Sequence, residues 1–166
     1  YFLNYCCFSY SLAFWDWEQW ERLVDWMVLQ GINLPLAITG QEAAWLRAGA
    51  RMGVSPAQMR EFLAGPAYLP FGWMGCLDGW GGPLSDEWCA EHEKLGQAIL
   101  ARQRSFGMTP VLQGFTGHVP AALADPSSAC GLHTIRWHEW TTFVLDPFDG
   151  RFPEFASIYA EEQARS

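Results

Sequence analysis

The stretch Gly31-Ile32-Asn33-Leu34-Pro35-Leu36-Ala37-Ile38-Thr39-Gly40-Gln41-Glu42 decides the fold. Its middle, residues 32–38, is almost continuously apolar, as strands are when helices cover both faces of a parallel sheet. Thr39 to Glu42 reads as a tight turn into a helix over about 42–50, and Gly31 as the stop of the helix before. Pro35 has no N–H to give to a ladder, so it demotes the run toward an edge or demands a bulge.

Upstream, Asp16 suits an N-cap, Glu18 and Glu21 lie where a helix dipole favours anions, and Trp17, Trp20, Val24 and Met27 recur at helical spacing. That spacing assigns Trp15, Trp17, Trp20 and Trp26 to packing. Residues 4–12 are aromatic and small without a 3.6-residue period and read as a buried strand, in which Asn4 needs a partner or a function. Downstream, Ser55-Pro56 opens a short helix, residues 65–85 form a long glycine-rich loop interleaved with aromatics, and a helix runs from about Ser85 to Ser105. Thr109 to Leu112 reads as a third strand, 114–149 largely as loop, and Pro153 to Gln163 as a last helix. Strands alternating with helices give an α/β chain with a parallel sheet, whose function sits on the loops after the strands.

The 166 residues carry 10 basic and 18 acidic side chains, a formal charge of −8, which argues against nucleic acid. No apolar run approaches the ~20 residues of a membrane-spanning helix. Ten tryptophans and 16% aromatic residues fill a core or present flat surfaces to flat ligands such as sugar rings. The chain starts at Tyr1 without a leader and reads as an excised segment. Cys6, Cys7, Cys76, Cys89 and Cys130 show no paired spacing. Cys130, His133 and His138 fall short of the closed ligand set a zinc site needs. Gln41-Glu42 reads as a helix start in preference to a catalytic carboxylate, and Glu91 and Glu93 beside His92 as a solvated helix face. His118 reads as a loop histidine that either meets substrate or anchors backbone.

These residues resemble the alpha-N-acetylglucosaminidases, glycoside hydrolases that act in glycosaminoglycan degradation. The resemblance is carried in order by Asn4-x-Cys6-x-x-Ser9-Tyr10-Ser11, Trp15-Asp16-Trp17, Trp20-Glu21-Arg22, Asp25-Trp26-Met27, Gly31-Ile32-Asn33-Leu34 and Gly40-Gln41-Glu42-Ala43. It continues through Phe62, Gly65-Pro66-Ala67-Tyr68-Leu69, Gly72-x-Met74-Gly75, the run Arg104 to Leu112, Gly117-His118-Val119-Pro120, Leu145-Asp146-Pro147 and Phe152. It implies a partial (β/α)8 TIM-like barrel of about three strand-helix units, with residues 1–166 the N-terminal portion of a catalytic domain. It also implies a retaining exo-hydrolase of terminal alpha-linked N-acetylglucosamine, secreted or lysosomal, without metal or organic cofactor. Retention needs two carboxylates about 5–5.5 Å apart. The family's acid/base follows an asparagine, and no Asn-Glu pair occurs here, so both catalytic glutamates are expected downstream.

What remains for this segment, by resemblance, is substrate binding: Asn4, Cys6 and Tyr10 at the end of the first strand, Phe71 and Met74 from the aromatic loop, and Trp137, or Trp140 if the looser alignment there slips. Phe71 replaces a more usual tryptophan, Cys76 stands where asparagine is common, and Pro35 is a third departure. The alternatives are a non-catalytic carbohydrate-binding module, or a structural piece whose tryptophans only pack.

Overall fold

The computed structural model describes residues 1–124 and 131–165. Seven helices are described: α1 (Tyr5–Tyr10), α2 (Trp17–Leu29), α3 (Gln41–Arg51), α4 (Pro56–Phe62), α5 (Leu69–Trp73), α6 (Asp86–Ser105) and α7 (Arg151–Arg165). Three strands, β1 (His118–Val119), β2 (Leu132–Trp137) and β3 (Trp140–Leu145), make an antiparallel sheet in the order β1-β3-β2. A 3-10 turn covers Ala121–Leu123.

The run that decides the fold lies between two parallel neighbours. Phe2 N–H donates to Leu34 O and Leu36 N–H to Phe2 O, while Thr109, Val111 and Ala37 continue the pattern on the other side through Asn33, Pro35 and Val111 carbonyls. The pairings are single bridges, Phe2 with Pro35 and Leu36 with Val111, in sequence order across the sheet. Pro35 therefore sits in the middle segment and not at an edge. Its carbonyl accepts from Val111 at 2.8 Å, and the ladder loses the one bond its missing N–H would have given toward Thr109. The α/β alternation holds, but the parallel strands are shorter than the apolar runs suggest, and the regular sheet is antiparallel.

Residues 4–12 are the clearest correction. The first parallel segment is at Phe2, and the expected strand is the helix α1, capped by Asn4, whose Oδ1 accepts from Cys7 N–H at 3.1 Å. The Asn4 side chain satisfies an orphan helix donor, which is the partner a strand would not have offered. The remaining caps follow the sequence: Asp16 with Gln19 and Ser55 with Gln58 form reciprocal capping boxes, and Ser85 receives Trp88 N–H.

Trp20, Val24 and Met27 of α2 enter the core with Leu36, Ile38, Trp45, Met59, Ile99 and Tyr159. Of the four tryptophans assigned to packing, Trp20 is buried, whereas Trp17 and Trp26 are at least a third exposed, Trp26 lying against Phe2. Helix α6 comes so close to the sheet that a Cβ on Gly96 would stand 2.3 Å from Thr39 O; only glycine admits that contact. Polar ties then fix the helices. Arg102 of α6 grips Asp25 of α2 with two nitrogens, and Arg47 and Arg51 of α3 converge on Glu162 of α7 at 3.1 and 2.8 Å. Arg51 first, with Arg165 and Arg47, holds the Glu162 carboxyl below the usual range. No described helix is long and apolar enough to cross a membrane.

Candidate functional site

Helix α1 packs on α5, and Tyr10 at the end of one meets Phe71 in the middle of the other, with ring centroids 6.3 Å apart. Phe71 in turn lies parallel to Trp137 of β2, at 6.3 Å and 12°. Three of the six expected binding residues thus form one aromatic row drawn from two helices and a hairpin. Phe71, where the family more often has tryptophan, keeps its plane parallel to Trp137, as offset-stacked rings do.

The row rests on the core. Trp73, two residues after Phe71, stacks on buried Trp45 at 12°, so α5 cannot roll without opening that contact. Thr142 of β3 donates to Gly75 O at 2.8 Å in a buried bond, docking the hairpin on the turn after α5. Cys76 donates its S–H to Phe71 O at 3.2 Å, and burial raises that thiol's pKa, aided by nearby Asp78 and Cys6. Met74 ends α5 with its side chain well exposed, and Asn4 is occupied as a cap. Among the described residues no hydrogen bond or ring contact joins either one to the row.

Trp137 and Trp140 are cross-strand partners flanking a two-residue turn, 5.7 Å apart, so the row contains both. From Trp140 it continues to Trp80 at 4.3 Å and to Tyr68 at 5.6 Å. This second half had one signal in the sequence, a tryptophan set between Gly79 and Gly81. The hairpin itself was hidden, because the turn is His138-Glu139, and His138 takes the positive φ of 53° more often given to glycine or asparagine.

The other candidates fall elsewhere. His118 belongs to β1 and is almost buried, with its Nε2 2.7 Å from Asp78 Oδ1 and its ring on Phe62; it is neither a loop group open to substrate nor a backbone anchor. Glu42 is fully buried in the first turn of α3, where Oε1 bonds His92 Nδ1 and Oε2 has no partner among the described residues. Glu93 reaches Arg47 at 2.7 Å and is half-buried, so of the two glutamates of the expected solvated face Glu91 is the exposed one. Of the weak zinc set, Cys130 lies outside the described residues, His133 pairs with Asp146, and His138 is in the turn. Cys89 is pushed up to about 12 by burial, which keeps it a thiol. A row of aromatic faces such as this can bind a flat, partly apolar ligand.

A family model described as the alpha-N-acetylglucosaminidase (NAGLU) tim-barrel domain matches residues 1–166. The chain belongs to the alpha-N-acetylglucosaminidase family. It is 42% identical over 168 residues to the human alpha-N-acetylglucosaminidase, which covers 98% of this chain and 23% of the human one. Its fold is similar to a family 89 glycoside hydrolase from Clostridium perfringens in complex with 2-acetamido-1,2-dideoxynojirmycin, at a TM-score of 0.85 and 35% identity over 97% of this chain. It is equally similar to the Clostridium enzyme, carrying two Glu-to-Gln substitutions, in complex with its substrate GlcNAc-alpha-1,4-galactose, at 0.85 and 34% identity over 96% of this chain. The chain spans about a quarter of the human relative and 19% of each bacterial one. Membership supports an α/β glycoside hydrolase fragment.

Proposed function

We propose that residues 1–166 are the N-terminal portion of the catalytic (β/α)8 barrel of a retaining exo-alpha-N-acetylglucosaminidase, and that its aromatic row forms one wall of the pocket for the terminal sugar. The parallel Phe71–Trp137 pair, extended by Tyr10, carries the reading. The three parallel segments at Phe2, 33–37 and 109–111, neighbours in sequence order, are what the start of such a barrel requires. Similarity to an enzyme solved with an alpha-linked N-acetylglucosaminide supports the substrate class. The relatives offer no support for a stand-alone binding module.

In this reading Tyr10, Phe71 and Trp137 present ring faces to the apolar face of the pyranose, and Met74 and Cys6 line its edge. Asn4 keeps Oδ1 on the helix cap and turns its amide N–H toward a sugar oxygen. Two glutamates downstream supply nucleophile and acid/base, and the wall holds the anomeric carbon between them. The full-length protein tests this with an alpha-linked N-acetylglucosaminide followed by proton NMR. The first-formed N-acetylglucosamine is expected as the alpha anomer; a beta anomer overturns retention, and no release overturns the enzymatic reading.

A further inference from the structure

Helix α5 is five residues long, too short to hold its own orientation, so the place of Phe71 depends on what grips the ends of the helix. Three carbonyls of α5 are bonded by the chain that follows: Pro70 O accepts from Met74 N–H, Phe71 O from Cys76 N–H and Gly72 O from Gly75 N–H. Trp73 O differs. It accepts from the side-chain amide Nε2 of Gln113, 40 residues further on, and among the described residues no backbone N–H is bonded to it.

Gln113 follows the third parallel segment, and its backbone is fixed from behind. The Gln163 amide of α7 spends one hydrogen on Gln113 O and the other on Gln41 Oε1, both at 2.6 Å, and the Tyr159 hydroxyl donates to the same Gln41 oxygen at 3.2 Å. Gln41, the first residue of α3, and Tyr159 are both buried. A buried network of this kind is rigid, because any rearrangement leaves a polar atom unpaired away from water. It runs from the start of α3 through α7 to the end of the third parallel segment, and its last bond is the one to Trp73 O. Gln113 Oε1 is buried without a partner among the described residues, so Trp73 O is what orients the amide.

We propose that Gln113 is a positioning residue for the terminal sugar: its amide fixes the C-terminal end of α5 to the end of the third parallel segment, and thereby sets where Phe71 stands between Tyr10 and Trp137. The proposal rests on the reading above, in which Phe71 belongs to the sugar wall. Gln113 itself needs no contact with the sugar. The Trp73–Trp45 stack keeps α5 from rolling, and a bond to the last carbonyl, which points along the helix axis, keeps it from sliding. A wall that touches the sugar alike in the ground state and the transition state contributes to KM and not to kcat, so displacement of Phe71 is read in KM.

The test uses the full-length protein and N-acetyl-alpha-glucosaminyl fluoride, whose leaving group has no ring. Gln113→Leu is expected to raise KM about fivefold to tenfold and to leave kcat within about twofold of wild type. In a Phe71→Ala background the same substitution is expected to change KM by less than about twofold, because the group it positions is gone; a residue that only stabilised the fold would keep its effect there. Should Gln113→Leu not be recovered folded, Gln113→Glu, which keeps the shape but has no amide donor, is read in the same way and decides. A KM unchanged by the Gln113 substitution, or raised equally in both backgrounds, overturns the positioning role and leaves the terminal-sugar reading standing. Phe71→Ala with the KM of wild type, or a wild-type protein that does not cleave the fluoride, overturns both.

Discussion

Asn4 answers a structural demand and, in the function proposed above, a second one at the sugar. Its Oδ1 caps α1 through Cys7 N–H, a contact whose removal costs about 1 kcal/mol. Asn4→Asp keeps the cap and loses the amide donors, whereas Asn4→Ala loses both. Asn4→Asp is expected to melt like wild type in the full-length protein yet lose at least about tenfold in kcat/KM, and Asn4→Ala to lose stability as well. Equal activity in Asn4→Asp and wild type would leave Asn4 a cap only. Asp149 carries a second demand, since it accepts from Arg151 and Gly131 where the hairpin hands over to α7. Arg151 holds its carboxyl down from 3.8 to about 2. A depressed carboxylate stabilises the fold above the unfolded value and loses that contribution as pH falls through the folded one. The stability gap between wild type and Asp149→Asn should therefore be open at pH 5 and close between about pH 4 and 2 in denaturation curves.

At the scale of elements, the site depends on how the hairpin of β2 and β3 is docked. Thr142→Val keeps the shape of the side chain but leaves Gly75 O without its donor in a buried place, at a cost of about 1–3 kcal/mol. Thr142→Ser should retain most of that stability, and a Thr142→Val protein as stable as wild type would show that the hairpin docks by packing alone. The elements also mark what could be read beforehand. Caps at Asp16, Ser55 and Ser85 were legible because an oxygen side chain stands just before each helix. Helix α1 was not, because Cys-Cys-Phe-Ser-Tyr has weak helix propensity and its Asn4 cap is the one local clue. The hairpin was lost for the converse reason: its strands alternate poorly, and its turn lacks the residues that announce one.

At the scale of the molecule, the three parallel segments and seven helices of the described residues are locked by polar ties that no local pattern predicts. Glu162 is separated from Arg47 by 115 residues and from Arg51 by 111, so its role emerges only once α7 lies on α3. Its side chain is buried while both arginines keep about a third of theirs in water. Glu162→Gln is thus expected to cost about 2 kcal/mol, less than a fully buried pair, by urea denaturation. Buried Trp45, with Trp73, Phe62 and Tyr159 around it, should cost about 3–5 kcal/mol as Trp45→Ala. The family resemblance named Tyr10, Phe71 and Trp137 among the expected binding residues but not the geometry that brings these three together. That Tyr10, Phe71 and Trp137 stand in one row depends on α1, α5 and a hairpin meeting, and the row's extension to Trp80 depends on glycines that contact groups far along the chain.

The central claim is that this row holds the terminal sugar, and the most direct measurement is kcat/KM of full-length Trp137→Ala on N-acetyl-alpha-glucosaminyl fluoride, which engages that sugar alone. A loss of about 10-fold to 100-fold with an unchanged melting temperature is the expected result. Activity within twofold of wild type would contradict it.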